Sequence, residues 1–400
     1  MKILFITPTL PSRISRIRAY NILRYLSKRH QIYLLSFIDS EQKKRKIEQI
    51  EGFCASVETV KLAPWHSYFN CALHLFSPLP LRVAYYKSGK MAEKIKEILK
   101  REKFDLVYIK RKRMAQYGEV INGIPKVLDL SDAVSLHYQR ALKKANIFRK
   151  ALYLEEYIKT LKYEVDISKK FNRTILCSPV DLEFLKTNAT EPLDSLAYIS
   201  TGVDTEYYRP RGLEVEPNSI LFSGVMGAFV NIDAARYLIL GMLPLIRKMI
   251  PSVKLYIVGP ASPYSLRRLA KDNQIIITGY VDDLRDYIEK VTVVVCPMRT
   301  GTGFRNKICQ ALAMRKPVVS TSLGTEGLGV VPGEHLLIAD NPQDFAQKTV
   351  QLLQDKALQD RLGQKGFELI KSQYSLEVLE EKMNHLLEEV VRNGKEKNKT

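Results

Sequence analysis

The chain has 400 residues, 46% of them hydrophobic, which is too long for one ordinary core and too apolar for a disordered polymer. Its formal net charge of +19 is uneven: residues 1–200 hold 36 Lys+Arg against 20 Asp+Glu, a surplus of 16, and the remaining 26 against 23 leave residues 201–400 a surplus of only 3. A basic first half suits an anionic surface or substrate, and no nucleic-acid reader motif accompanies it, so nucleic acid is not an expected partner.

Five cysteines (Cys54, Cys71, Cys177, Cys296, Cys309) are odd in number and lack metal-ligand spacing, which points to a reducing compartment and to no metal site. The opening MKILFITPTLP is too short for a signal peptide, and no window supplies the ~18 uninterrupted apolar residues of a membrane span. The expectation is a cytoplasmic protein, soluble or peripheral on the inner membrane face.

Along the chain, KILFITP predicts a first strand, and Ile17, Tyr20, Ile22, Leu23 and Leu26 recur at helical spacing. QIYLLSF, a charged helix from Glu41 to Glu51, and VETVKL follow. Next comes an irregular stretch, PWHSYFNCALHLFSPLP, from Pro64 to Pro80, which holds the only tryptophan, Trp65, and no acid. Aromatic residues beside Lys61 and Arg82 suit the interface of an anionic bilayer, or else they pack beneath a long loop. A helix from Gly89 to Glu102 leads into the strand FDLVYIK and the basic run Lys110, Arg111, Lys112, Arg113. Ligands collect at strand carboxyl ends in such sheets, so the run either meets an anionic acceptor or forms a solvated turn. KVLDLSD ends with Asp129 and Asp132, two carboxylates that orient a substrate or serve as a turn and helix cap. Two helices are expected between Asp132 and Lys170, with His137 on a helix surface or in a cleft, before RTILCSP and LAYIS.

Periodicity lapses in RPRGLEVEPN, the predicted linker. Strands alternating with helices resume in SILFSGVM, VKLYIVG, IIITGYV, VTVVVCP, KPVVSTS and HLLIAD, and an amphipathic helix from Ser375 to Asn393 precedes a frayed tail. The expected division is 1–208, a linker 209–218, a second domain 219–374, and a terminal helix and tail 375–400. Both domains read as α/β, doubly wound parallel sheets with ligands at their strand carboxyl ends. The stretch RTGTGFRNKICQALAM is the most informative. Gly301 and Gly303 permit a tight turn whose amides face an anion, and a helix start carrying Arg305 and Lys307 points its positive end there. A bland strand-to-helix connector has the same spacing.

These residues sit in a longer ordered pattern. ISTGVDTEYYRP, ILFSGVMGAFVNIDAARYL, LPLIRKMIPSVKLYIVG, ITGYVDDLRDYI and KPVVSTSLGTEGL occur at matching relative spacing, and SPLPLRVAYYKS, MAQYG and VLDLSDAVS match more weakly in the first half. The chain resembles the retaining glycosyltransferases of family 4, closest to those associated with exopolysaccharide. That resemblance implies a GT-B fold, two Rossmann-like domains facing an interdomain cleft, with the terminal helix returning to the first.

It further implies a UDP- or GDP-linked sugar as donor, no cofactor or metal, and a lipid-linked saccharide acceptor reached at an anionic membrane. By resemblance, the donor diphosphate lies between the turn of Gly224 and Gly227 and that of Gly301 and Gly303. Lys307, paired with Asn306, neutralises the leaving diphosphate. Thr302 and Gln310 stand where the family carries two glutamates, Gln310 in the place that bonds the ribose hydroxyls. Glu326 is placed near base or ribose, and Arg299 either reaches phosphate or forms a salt bridge at its strand end. A second reading, motivated by Thr302 and Gln310, is a degenerate protein that binds a nucleotide sugar or a partner without turnover.

Overall fold

The computed structural model describes residues 1–12, 17–38, 47–142, 147–270 and 272–397. Most of the expected helix from Glu41 to Glu51 lies outside the described residues. Two compact units emerge, one formed by Met1–Thr201 with Leu379–Thr400 and the other by Gly202–Val378.

In the first unit, seven parallel strands run β1 (Lys2–Thr7), β2 (Gln31–Ile38), β3 (Ser56–Lys61), β4 (Leu106–Lys110), β5 (Lys126–Ser131), β6 (Arg173–Leu176) and β7 (Leu196–Tyr198), in spatial order β3-β2-β1-β4-β5-β6-β7. The central strands are buried along almost their whole length because helices cover both faces, so neither alternate set of side chains meets water, and the few polar residues on them, such as Lys110 and Asp129, are buried too. One face packs Leu4, Ile6, Val107 and Ile109 against helix residues such as Ile95 and Ile98. The other packs Ile3, Phe5 and Tyr108 against the helix Ile17–Leu26. The terminal helix Leu376–Lys397 joins this second layer through Leu379, Met383, Leu387 and Val390. Arg173 and Glu389 pair at 2.6 Å, and His30 bonds Asn384 at 2.8 Å. The helix continues through 394–397, where the sequence suggested fraying.

Two expectations need correction. The stretch after Lys61 is not irregular, because Pro64–Leu73 and Leu81–Tyr85 are helices. Pro64 opens the first of them, a position where its missing N–H costs nothing. The first unit also ends at Thr201, not 208, and the expected linker is bound into the second unit. Arg211 Nε donates to Glu289 at 3.0 Å, and the amides of Gly212 and Leu213 bond the same carboxylate. Glu216 already belongs to a strand.

The second unit has six parallel strands: β8 (Glu216–Ser223), β9 (Lys254–Val258), β10 (Ile275–Gly279), β11 (Val291–Cys296), β12 (Val318–Ser320) and β13 (Leu337–Ile338). Their spatial order is β10-β9-β8-β11-β12-β13. The helical run Phe229–Met249 is long and apolar enough, by composition, to cross a membrane. Its Ala234, Leu238, Met242, Leu243 and Ile246 are instead buried in the core of this unit.

Candidate anion site and buried carboxylates

The sheet of the second unit brings its functional residues together at the carboxyl ends of β8, β9 and β11. The chain reverses at Gly224, whose amide donates to Val258 O at 2.9 Å. Backbone approaches backbone so closely that a Cβ on Gly259 (φ 144°) would lie 1.8 Å from Gly224 O, and only glycine fits there. Gly227 is less confined, a Cβ there lying 3.1 Å from Ala261 Cβ. Asn231 braces the turn, its Nδ2 donating to Val225 O at 3.0 Å.

After β11 the chain turns through Gly301 (φ 113°) and Gly303 (φ 80°) into the helix Asn306–Ala313. Arg305 is 9% exposed. Its Nη1 donates to Thr302 O at 2.6 Å, while Nε and Nη2 are buried without a hydrogen-bond partner. Lys307 Nζ lies 3.0 Å from Asn231 Oδ1 and 4.1 Å above the Phe222 ring. Burial lowers its pKa to about 8, with Cys296 opposing and Arg305 adding to the fall. Among the described residues neither cation is paired with a carboxylate. Two desolvated cations at a helix start, with donors left unused, are costly for the empty protein. Donors held in this way at a helix start are of the kind that receives an anion.

The sequence-predicted donor residues divide. Gly224, Gly227, Gly301, Thr302, Gly303, Arg305, Asn306 and Lys307 lie on the two turns and the helix start. Gln310, on the same helix, is 6% exposed and donates from Nε2 to Tyr208 Oη at 2.8 Å. Arg299 takes the salt-bridge alternative: it pairs with Asp233 at 2.5 Å and stacks on Tyr237 at 4.1 Å. Glu326 follows the short helix Ser322–Thr325 beyond β12. Asn231, Phe222 and Tyr208 were not singled out from sequence. Only the glycine at 224 hints that a side chain must close over the turn.

In the first unit, Asp129 is fully buried and occupied on both oxygens. Oδ2 accepts from Arg18 Nε at 3.0 Å, Tyr108 Oη at 2.6 Å and Lys110 Nζ at 2.6 Å, and Oδ1 accepts from Ser131 Oγ at 2.9 Å. Burial alone would raise its pKa, but Arg18 and Lys110 hold the carboxyl well below the usual range. Burial lowers the Lys110 amine to about 7. This corrects Asp129 as a catalytic group: its lone pairs face cations inside the fold, with no room for substrate.

The basic run is corrected likewise. Lys110 and Lys112 are 3% and 5% exposed, and Lys112 bonds Thr160 at 3.1 Å beside Glu164 at 3.6 Å. These side chains turn inward because Asp129 and Glu164 are buried and need cations. Arg111 (φ 76°) pairs with Asp132 at 2.9 Å, and Arg113 stacks on Tyr86 at 4.8 Å. Asp132 keeps 28% of its side chain exposed and accepts from Cys177 Sγ at 3.2 Å. Nearby Asp181, not anticipated, is buried with Oδ2 unpartnered, and burial, then Asp132, raises its pKa to about 7. Trp65 is 67% exposed on its helix and does not pack beneath a loop.

Residues 217–355 match the family model described as glycosyl transferases group 1. An uncharacterized 44.6 kDa protein in the cps region of Klebsiella pneumoniae is 23% identical over 86% of this chain and 88% of its own length. The lipopolysaccharide core biosynthesis glycosyltransferase LpsE of Rhizobium meliloti is 28% identical over 34% of this chain and 42% of its own length. Among solved structures, Anabaena HepE in complex with UDP-glucose superposes with a TM-score of 0.71 at 15% identity, covering 97% of this chain and 100% of that one. Sucrose-phosphate synthase from Thermosynechococcus elongatus gives 0.71 at 15%, covering 98% and 100%. Likenesses this distant in sequence establish the architecture, two Rossmann-like α/β units of GT-B type. The segment 217–355 that resembles the glycosyl transferases group 1 family is the one that contains both glycine turns, Arg305 and Lys307.

Proposed function

We propose that the chain is a retaining, metal-independent glycosyltransferase that uses a UDP- or GDP-linked sugar. Its acceptor is a lipid-linked saccharide presented at an anionic membrane on the cytoplasmic side, in exopolysaccharide or envelope-glycan synthesis. The carrying observation is the pair of desolvated cations, Arg305 and Lys307, at a glycine turn and without an acidic partner among the described residues. The cps-region and lipopolysaccharide-core relatives support the polysaccharide setting, and the neighbour holding UDP-glucose supports the donor class.

In this reading the bond from the anomeric carbon to the diphosphate oxygen breaks, and negative charge grows on the leaving oxygens. Lys307, the unused donors of Arg305 and the turn amides stabilise that charge without moving. The acceptor hydroxyl attacks from the face the leaving group vacates and gives its proton to a departing phosphate oxygen, so no enzymic nucleophile is required. Asp132, the partly exposed carboxylate of the pair read from sequence, orients the acceptor.

A second reading, binding without turnover, draws support from Gln310, whose amide is engaged with Tyr208 Oη and lacks the charge that strengthens a ribose hydrogen bond. Incubation with a panel of UDP- and GDP-sugars and lipid-linked saccharide, following nucleoside diphosphate release, separates the two. Release with one donor, lost in Arg305→Gln, is expected. Thermal stabilisation by a donor without release, with Gln310→Glu tightening binding up to about tenfold, would establish the second reading. Neither stabilisation nor release with any donor would overturn both.

A further inference from the structure

The helix Pro64–Leu73 and the turn after it present an apolar face to solvent. Trp65 is 67% exposed, Phe69 57% and Leu73 64%, at spacings of four residues that put them on one stripe of the helix, and Phe76 in the turn is 94% exposed. A second helix, Ile147–Ser168, has its own outward stripe of Ile147, Leu154 and Ile158. The two are joined. Lys159 Nζ donates to Leu75 O at 2.6 Å, and Glu156 accepts from the Leu81 amide at 3.1 Å, so the end of the first stripe lies against the second helix one residue from Ile158. Large apolar side chains gathered in the open on two adjoining helices mark an interaction surface rather than scattered exposure.

The charge beside it selects an occupant. From Thr59 to Ala92 the sequence contains no acid but carries Lys61, Arg82, Lys87 and Lys90. From Ala133 to Leu154 it again contains no acid and carries Arg140, Lys143, Lys144, Arg149 and Lys150. An aromatic and aliphatic face drawn largely from two acid-free, cationic segments, with only Ile158 beyond them, matches an anionic bilayer surface, with apolar side chains below the headgroups and cations among them. We infer that this two-helix face inserts shallowly into an anionic leaflet, with Trp65 below the headgroups. The inference deepens the reading of the acceptor as lipid-linked, since a face seated in the leaflet brings the first unit to its substrate.

Trp65, the only tryptophan, reports the contact directly. The full chain is mixed with vesicles of equimolar phosphatidylglycerol and phosphatidylcholine, or of phosphatidylcholine alone. A blue shift of its emission, with quenching by bromine-labelled acyl chains, is expected for the anionic vesicles only. The double variants Phe69→Glu with Phe76→Glu, and Leu154→Glu with Ile158→Glu, should each weaken co-sedimentation at least tenfold. Their melting curves and nucleotide binding should stay unchanged, because the replaced side chains are about half exposed or more. Unshifted emission, equal binding to both vesicles, or variants that sediment like the parent would overturn the inference, the first and the last leaving a protein partner as the occupant of the face. Sugar transfer without vesicle binding would remove this face alone. Vesicle binding without transfer to any lipid-linked saccharide would remove the acceptor reading and leave the face standing.

Discussion

Lys307→Met should lower nucleoside diphosphate release by about 10²–10³-fold or more while making the ligand-free protein more stable. The two effects share a cause. Burial depresses the Lys307 amine to about 8, against about 10.4 for an unfolded lysine. Below pH 8 both states hold the proton, and the folded state bears the full cost of a desolvated cation. Between those values the unfolded chain binds more protons, so stability rises with pH until the cost is relieved. The shift corresponds to about 2–3 kcal/mol, discounted because the side chain is partly exposed. Methionine carries no charge and packs on Phe222, so that cost disappears from the variant. Thermal unfolding near neutral pH, with and without a nucleotide sugar, checks both halves. A variant less stable than the parent, or one that retains turnover, would contradict the assignment.

Asp129→Asn should destabilise the first unit by about 3–5 kcal/mol, the range found when one partner of a buried charge network is removed. The substitution keeps the shape but leaves Arg18 at 3.0 Å facing an amide, with Arg18 Nη2 already unpartnered. Part of the loss is recovered because Lys110, already lowered to about 7, can shed its proton. The network also holds two non-glycine residues at positive φ, Arg111 at 76° and Ser131 at 68°, beside the ends of β4 and β5. Chemical denaturation followed at both units is the measurement, since two units need not unfold as one. A loss under about 1 kcal/mol, or an intact fold with turnover abolished, would return Asp129 to a catalytic role.

The sequence discloses the strands because parallel strands buried on both faces leave nearly continuous apolar runs. The candidate anion site is legible because Gly301, Gly303, Arg305 and Lys307 are close neighbours in the chain. What stayed hidden depends on distant partners. DLSD at a strand end does not reveal that Arg18, 111 residues away, closes over Asp129. Nor does the run Lys110–Arg113 reveal that alternate members turn inward to Asp129 and Glu164. Helix Pro64–Leu73 has apolar residues at helical spacing, but its stripe faces outward among prolines and aromatics, and the pattern resembled a loop. The boundary slipped for the same kind of reason: residues around Arg211 look like a linker until Glu289 gathers them into the second unit.

The account rests on Arg305 and Lys307 holding a diphosphate, and proton-linked calorimetry addresses that most directly. A UDP- or GDP-sugar is titrated into the chain at about pH 8.5, above the lowered value of Lys307, in buffers of different ionisation enthalpy. Binding should draw a large fraction of a proton onto the protein at that pH and little near pH 7, and affinity should fall about tenfold per unit above pH 8. Both signatures should vanish in Lys307→Met. Binding that takes up no proton, or that is as tight in Lys307→Met and Arg305→Gln as in the parent, would contradict the account.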